Sequence, residues 1–156
     1  MNIFALSTNP KLAARYHCDK HLSKMLLESV QMLSTTNALL GLSHPYRKTH
    51  QNHPCTIWVR QSLSNYMWLV DLAYYLEEER QYRRGPKPVH KSILVLDKMR
   101  FPSERKLPDI GLTKFAQAMP WFLITGNPIA SYRDYYHFKD FEMKWTRRGT
   151  PSWYLY

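Results

Sequence analysis

The stretch Asp19-Lys20-His21-Leu22-Ser23-Lys24-Met25-Leu26-Leu27-Glu28-Ser29-Val30-Gln31-Met32-Leu33 carries two patterns at once. Leu22, Met25, Leu26 and Leu33, continued by Leu40, recur near the helical period and form an apolar stripe. Lys20, His21, Lys24, Glu28 and Gln31, joined upstream by His17, fall at spacings of three and four and form a polar face opposite it. Together they predict an amphipathic helix that ends near Leu40, with Gly41 where a left-handed stop belongs. Upstream the pattern reaches back to Pro10, with a break expected near Cys18 and Asp19 as a second N-cap.

Working outward, helix signals dominate. Asn9-Pro10, His53-Pro54 and Asn127-Pro128 each place a cap residue before a proline at the first helical position, where the missing N–H costs nothing. Helices are expected from Pro54, from Ser64 to Arg84, over about 89–99, over one or two turns from Thr113 to Met119, and from Pro128 to about Arg147. Trp58, Leu63, Met67, Val70 and Tyr74 would line the core side, and Trp58, Leu26, Leu33 and Trp68 its centre. Residues 42–53 read as a loop, and 100–111 as a proline-rich connector. Only Asn2 to Leu6 could pass for a strand. The tail Gly149-Thr150-Pro151-Ser152-Trp153-Tyr154-Leu155-Tyr156 is too aromatic for a disordered end and is expected to pack on the body. The fold class is therefore all-α: a single compact multi-helix domain over residues 1–156 with an ordered aromatic C-terminal tail.

At 156 residues the chain has the length of one ordinary domain, and its apolar stretches are far shorter than the roughly 20 residues of a membrane span. The first six residues lack the basic start and long apolar run of a signal peptide. Two cysteines make no disulfide framework, so a cytoplasmic setting is expected. Charge is more informative. Lys plus Arg number 22 against 12 Asp plus Glu, a net charge of +10 that favours a polyanionic partner, nucleic acid first. Aromatic residues, 14% of the chain, often stand beside cations, as in Tyr46-Arg47-Lys48 and Tyr82-Arg83-Arg84; stacking rings and phosphate-holding cations are the ingredients of a nucleic-acid groove. No Asp or Glu occurs between Glu28 and Asp71, a gap that holds Arg47, Lys48, Arg60 and three histidines. The acidic run Glu77-Glu78-Glu79 reads as a solvated helix face.

The polar face of the long helix reads either as an exposed amphipathic surface or as a site wall, since its histidines, lysines and carboxylate supply acid, base and anion binding together. Thr49-His50-Gln51-Asn52-His53-Pro54 is a second cluster, either a helix entrance or a set of phosphate and base contacts. His90 opens a short helix, and Gln117 is a lone amide in an apolar segment, so it needs a partner if buried. His17, His21, His50, His53 and Cys55 could ligate zinc, but their spacings match no finger, and no metal and no cofactor are expected. Walker, G-x-G-x-x-G, G-x-S-x-G and H-E-x-x-H motifs are absent.

Asp19-Lys20-His21-Leu22-x-Lys24-x-x-x-Glu28 followed by Asn52-His53-Pro54-x-x-x-Trp58 resembles the small phage and prokaryotic proteins grouped with pyrimidine-dimer DNA glycosylase (endonuclease V). Lys11-Leu12-Ala13 near the start and the tail Arg148-Gly149-Thr150-Pro151-Ser152-Trp153-Tyr154 are similar as well. The resemblance implies an all-α glycosylase with AP lyase activity, in which the N-terminal α-amine attacks deoxyribose C1′ and a glutamate on the first long helix supports it. Two departures stand out. Leu22-Ser23-Lys24 occupies the place where counting from the N-terminus would put that glutamate, leaving Asp19 and Glu28 as the nearest carboxylates. Asn2 is large, so Met1 should be retained.

The expected function is cleavage of the N-glycosidic bond of a damaged or modified base in DNA, duplex DNA being the expected partner. Glu28 or Asp19 would be the carboxylate, with Lys24, Lys20, His21 and the Met1 amine as the other catalytic candidates. Lys20, Arg47, Lys48, Asn52, His53, His90, Gln117, Trp153 and Tyr154 are the candidate substrate contacts. A non-catalytic nucleic-acid binder on the same fold, and an enzyme of free nucleosides or nucleotides, are the alternatives. The active centre is expected between the polar face of the long helix and the loop that ends at His53.

Overall fold

The computed structural model describes residues 1–155. Six α-helices follow one another, α1 (Pro10–Tyr16), α2 (Asp19–Leu39), α3 (Pro54–Val59), α4 (Leu63–Arg84), α5 (Lys91–Leu96) and α6 (Pro128–His137), with 3-10 turns at Trp121–Leu123 and Ser152–Tyr154. No strand occurs among the described residues. Each cap-proline start caps as its chemistry predicts. Asn9 Oδ1 accepts Leu12 N–H at 3.0 Å, His53 Nδ1 accepts Cys55 N–H at 3.1 Å, and Asn127 Oδ1 accepts Ala130 N–H at 3.2 Å. Beyond α2, Gly41 takes φ 69°, and the Leu42 and Gly41 amides return to the Asn37 and Ala38 carbonyls at 2.8 and 3.3 Å.

The two long helices α2 and α4 pack against each other, with α1 on α4 and α3 and α5 closing on α2. Trp58, Leu26, Leu33 and Trp68 are buried in one cluster that also takes in Trp145, ahead of the tail. Trp153 and Tyr154 pack on it as partly buried rings. Tyr74 lies outside the core: it is exposed and donates its hydroxyl to Asp97 at 2.7 Å. Leu63, Met67 and Leu40 sit at the core's edge, half-buried.

The structure departs from the sequence reading wherever tertiary hydrogen bonds compete with local ones. Asn2 to Leu6 is no strand. Ile3, Phe4, Ala5 and Leu6 are all buried, and the segment kinks at Phe4, whose φ is 54°. Cys18, not Asp19, is the N-cap of α2, and its side chain makes no capping bond. Thr113–Met119 is not helical but an extended strap, its polar groups held from outside. Thr113 N–H donates to Asn65 Oδ1 at 2.9 Å, and Ala118 N–H to the Tyr132 hydroxyl at 3.2 Å. The last helix stops at His137 rather than Arg147. Residues beyond it instead serve the α1–α2 junction: Lys144 carbonyl accepts Asp19 N–H at 2.8 Å, and Trp145 Nε1 donates to Tyr16 carbonyl at 2.9 Å.

The acidic run is not a solvated face either. Glu78 is exposed, but Glu77 and Glu79 are buried. Glu77 forms a two-bond pair with Arg80, and Glu79 is shared by Arg83 and Arg148. Burial alone would raise the Glu79 carboxyl, yet the hydrogen bonds from Arg148 and Arg83 hold it below the usual carboxylate range.

Candidate active site at the N-terminus

The buried N-terminal segment delivers the first residue to the polar face of α2. The Met1 side chain is inside the protein, 4% exposed, with its sulfur 3.9 Å from Thr56 Oγ1 of α3. Asn2 is the anchor. Its amide donates to Ala118 carbonyl at 2.7 Å, and its Oδ1 accepts from Ile3 N–H at 2.8 Å and the Tyr132 hydroxyl at 3.0 Å. With Asn2 fixed in this way, Met1 lines a pocket of about 130 Å³. Met1, Asn2, Phe4 and the α2 residues His21, Lys24, Met25 and Glu28 line it, together with Tyr135 and Lys139 from the last helix and its exit.

Glu28 faces the amine. Its Oε2 accepts Asn2 N–H at 2.8 Å and lies 3.9 Å from the Met1 nitrogen, with 14% of its side chain exposed. That second distance exceeds hydrogen-bond length, so the charges attract while the amine is not locked onto the carboxylate. Lys24, four residues earlier, shares the pocket wall; the ion pair of Glu28 is with the chain terminus. Lys139 stands opposite, its ammonium 3.1 Å from the Tyr135 hydroxyl and 4.2 Å from that ring's centre. Two lysines around one amine and one carboxylate leave the pocket net positive, suited to a phosphodiester substrate.

His21 is the pocket's neutral wall. Its ring stacks on Phe4 at 4.6 Å and its Nδ1 pairs with the Tyr136 hydroxyl at 2.8 Å. Burial first, then its coupling to His17 and the positive charge of Lys139, Lys24 and Lys20, pushes its pKa down to about 3. His17 behind it is wholly buried, donates from Nδ1 to Ala13 carbonyl at 2.7 Å, and is held down to about 4, mainly by burial. Both folded-state values lie below the ordinary 6.5, so the unfolded chain binds more protons once pH drops below about 6.5. Folding stability should therefore fall by about 2 kcal/mol between pH 6.5 and 5.5, and further toward pH 4. Urea unfolding at a series of pH values measures this; a flat profile over that window would contradict the neutral-histidine assignment.

The remaining candidates are dispersed. The loop 42–53 runs back along α2 on paired bonds. Ser34 Oγ donates to Tyr46 carbonyl and accepts its N–H, both at 3.0 Å, and Thr35 Oγ1 does the same for Thr49 at 3.0 and 3.1 Å. This return brings His53 close enough for the positive chain terminus to add to burial in lowering its pKa, against Glu28. Asn52, Arg47 and Lys48 are exposed on the same loop. Asp19 is outside the pocket: it accepts from Arg83 Nη1 at 3.0 Å and Thr146 Oγ1 at 2.6 Å. Lys20 lies over the Phe141 ring at 4.3 Å. His90 caps α5, with Nδ1 accepting Ser92 N–H at 3.1 Å. Gln117 bonds Thr125 at both ends, Tyr154 stacks on His137 at 4.6 Å, and Trp153 packs edge-on to Tyr16 at 5.6 Å.

Phe4, Tyr135 and Lys139 were missed because their approach depends on the Phe4 kink and on where α6 stops, neither of which has a local signature. A second, larger groove of about 290 Å³ between Thr8, Leu112–Phe115 and Asn127–Ile129 has no carboxylate in its lining. Among the described residues no three His, Cys, Asp or Glu side chains converge as a metal-holding group, and no helix is long and apolar enough to cross a membrane.

The sequence model of the pyrimidine dimer DNA glycosylase family matches residues 1–98, the segment that supplies Met1, Lys24 and Glu28. That is more than half of the 156 residues, and the chain belongs to this family. No curated protein and no solved structure matches it.

Proposed function

We propose that this member of the pyrimidine dimer DNA glycosylase family cleaves the N-glycosidic bond of a damaged pyrimidine in duplex DNA and then breaks the strand at the same sugar. The observation that carries this reading is the Met1 amine 3.9 Å from Glu28 in a pocket rimmed by Lys24 and Lys139. The amine attacks C1′, and the C1′–base bond breaks with its electron pair leaving on the base, which takes up a proton. Glu28 accepts a proton from the new ammonium and returns it to O4′ as the sugar ring opens, leaving an iminium at C1′. Loss of a C2′ proton then expels the 3′ phosphate, and water releases the sugar fragment from the amine. The negative charge of Glu28 also favours the oxocarbenium character that develops at C1′.

Borohydride reduces an iminium to a stable amine, so trapping on a duplex with one cyclobutane pyrimidine dimer tests the assignment. The expected result is a covalent adduct whose mass maps to the peptide containing Met1. An adduct on Lys24 or Lys139 would move the nucleophile to a side chain. Glycosidic cleavage without any adduct would assign attack to water. Binding without cleavage would leave a non-catalytic DNA binder.

A further inference from the structure

On segments that also carry partners of the pocket, three large aromatic rings stand in solvent: Trp121 is 82% exposed, Phe122 53% and Phe138 56%. They form one chain of edge-to-face contacts, Trp121 on Phe122 at 6.0 Å and Phe122 on Phe138 at 5.2 Å. Both ends of this cluster are tied to pocket residues. Ala118, three residues before Trp121, accepts the Asn2 side-chain amide through its carbonyl, and Phe138 directly precedes Lys139.

The tip that carries Trp121 and Phe122 is braced. Gln117 Nε2 donates to Thr125 carbonyl at 2.8 Å, Thr125 N–H donates to Ser131 Oγ at 2.9 Å, and Leu123 and Ile124 amides close a 3-10 turn on Pro120 and Trp121. The lone amide of Gln117 thus finds its role in closing this loop. Exposed indole and phenyl rings on a braced support are costly unless something covers them.

We propose that Trp121, Phe122 and Phe138 form a wedge that stacks against unpaired bases of the DNA strand whose sugar occupies the pocket. The proposal rests on the reading of the pocket as a DNA site and adds how the duplex is held open there. Taking a nucleotide out of a duplex leaves neighbouring base faces unstacked, and aromatic rings are the side chains that replace lost stacking. Lys24 and Lys139 on the adjoining rim supply the charge a phosphate backbone requires, which favours nucleic acid over an apolar protein partner.

Tryptophan emission reads this directly, because Trp58, Trp68 and Trp145 are buried and Trp153 is half-buried. Titration with a duplex bearing a tetrahydrofuran abasic analogue should quench the emission and protect it from acrylamide, and W121F should remove most of that response. The double variant W121A/F122A should weaken binding of this duplex about tenfold with the melting temperature unchanged, since both rings are exposed. Gln117→Ala, which keeps the rings and unties the loop, should give a smaller loss. Salt-dependent binding with unaltered Trp121 emission and an undiminished affinity in the double variant would overturn the wedge and leave the pocket reading intact. Absence of any DNA binding would overturn both. A DNA-free dimer abolished by W121A would assign the cluster to self-association and overturn the wedge.

Discussion

Glu28→Gln should lower single-turnover dimer cleavage by about 100-fold or more while the Kd for the same duplex stays level or tightens. Gln keeps the side-chain shape and can still accept the Asn2 N–H that Oε2 accepts at 2.8 Å, so the N-terminal segment should remain docked. What disappears is the negative charge 3.9 Å from the α-amine. Without it the pocket has no carboxylate to take the proton from the attacking amine, and the positive charge developing at C1′ loses its counterion. Binding responds oppositely, because the phosphate backbone no longer meets a carboxylate between Lys24 and Lys139. Rapid-quench kinetics and fluorescence anisotropy on the same duplex separate the two effects. Unchanged cleavage together with a lower melting temperature would reduce the amine–carboxylate pair to a structural anchor.

The largest loss of stability is expected from Arg83→Met. The Arg83 side chain is fully buried and makes four bonds: Nε to Glu79 at 2.8 Å, Nη1 to His17 carbonyl at 2.8 Å and to Asp19 at 3.0 Å, and Nη2 to Arg15 carbonyl at 2.8 Å. It thereby joins α4 to the end of α1 and the start of α2. Met fills much of the space but leaves two backbone carbonyls without this donor, and Glu79 with Arg148 as its remaining cationic partner. Breaking one side of such a network typically costs 3–5 kcal/mol, or about 10 °C in Tm for a domain of this size. Arg83→Lys should recover little, since an ammonium cannot reproduce the planar fork. Urea unfolding measures the change, and a loss below about 1 kcal/mol would mean that the network contributes little net stability.

The helices were legible because their signals are local. The stripe from Leu22 to Leu33, the three cap-proline pairs and Gly41 each act within a few residues, and the helix boundaries follow them. The segments that misled are those whose backbone partners lie far away. Thr113–Met119 has helical composition, but Asn65 and Tyr132 hold its amides. Residues after His137 continue an apolar periodicity, yet Asp19 and Tyr16 take their hydrogen bonds. The site divides along the same line. The polar face with Lys24 and Glu28 follows from spacing alone. That Glu28, five residues beyond the position suggested by counting, meets the chain terminus depends on how deeply Ile3 to Leu6 are buried. Glu79 looks like surface charge because one of its two arginine partners, Arg148, is 69 residues away.

The docking of Asn2 has a consequence in time. Its side chain is held by Ala118 and Tyr132, 116 and 130 residues further along the chain. A ribosome makes the N-terminal residues first, but the groups that seat them are made 116 and 130 residues later. These are contacts of very high sequence separation, closed only after most of the loop entropy has been overcome. The docking of the Met1 amine beside Glu28 thus waits on chain made long after both. A nascent or truncated polypeptide, however helical, would carry both groups without the pocket that pairs them.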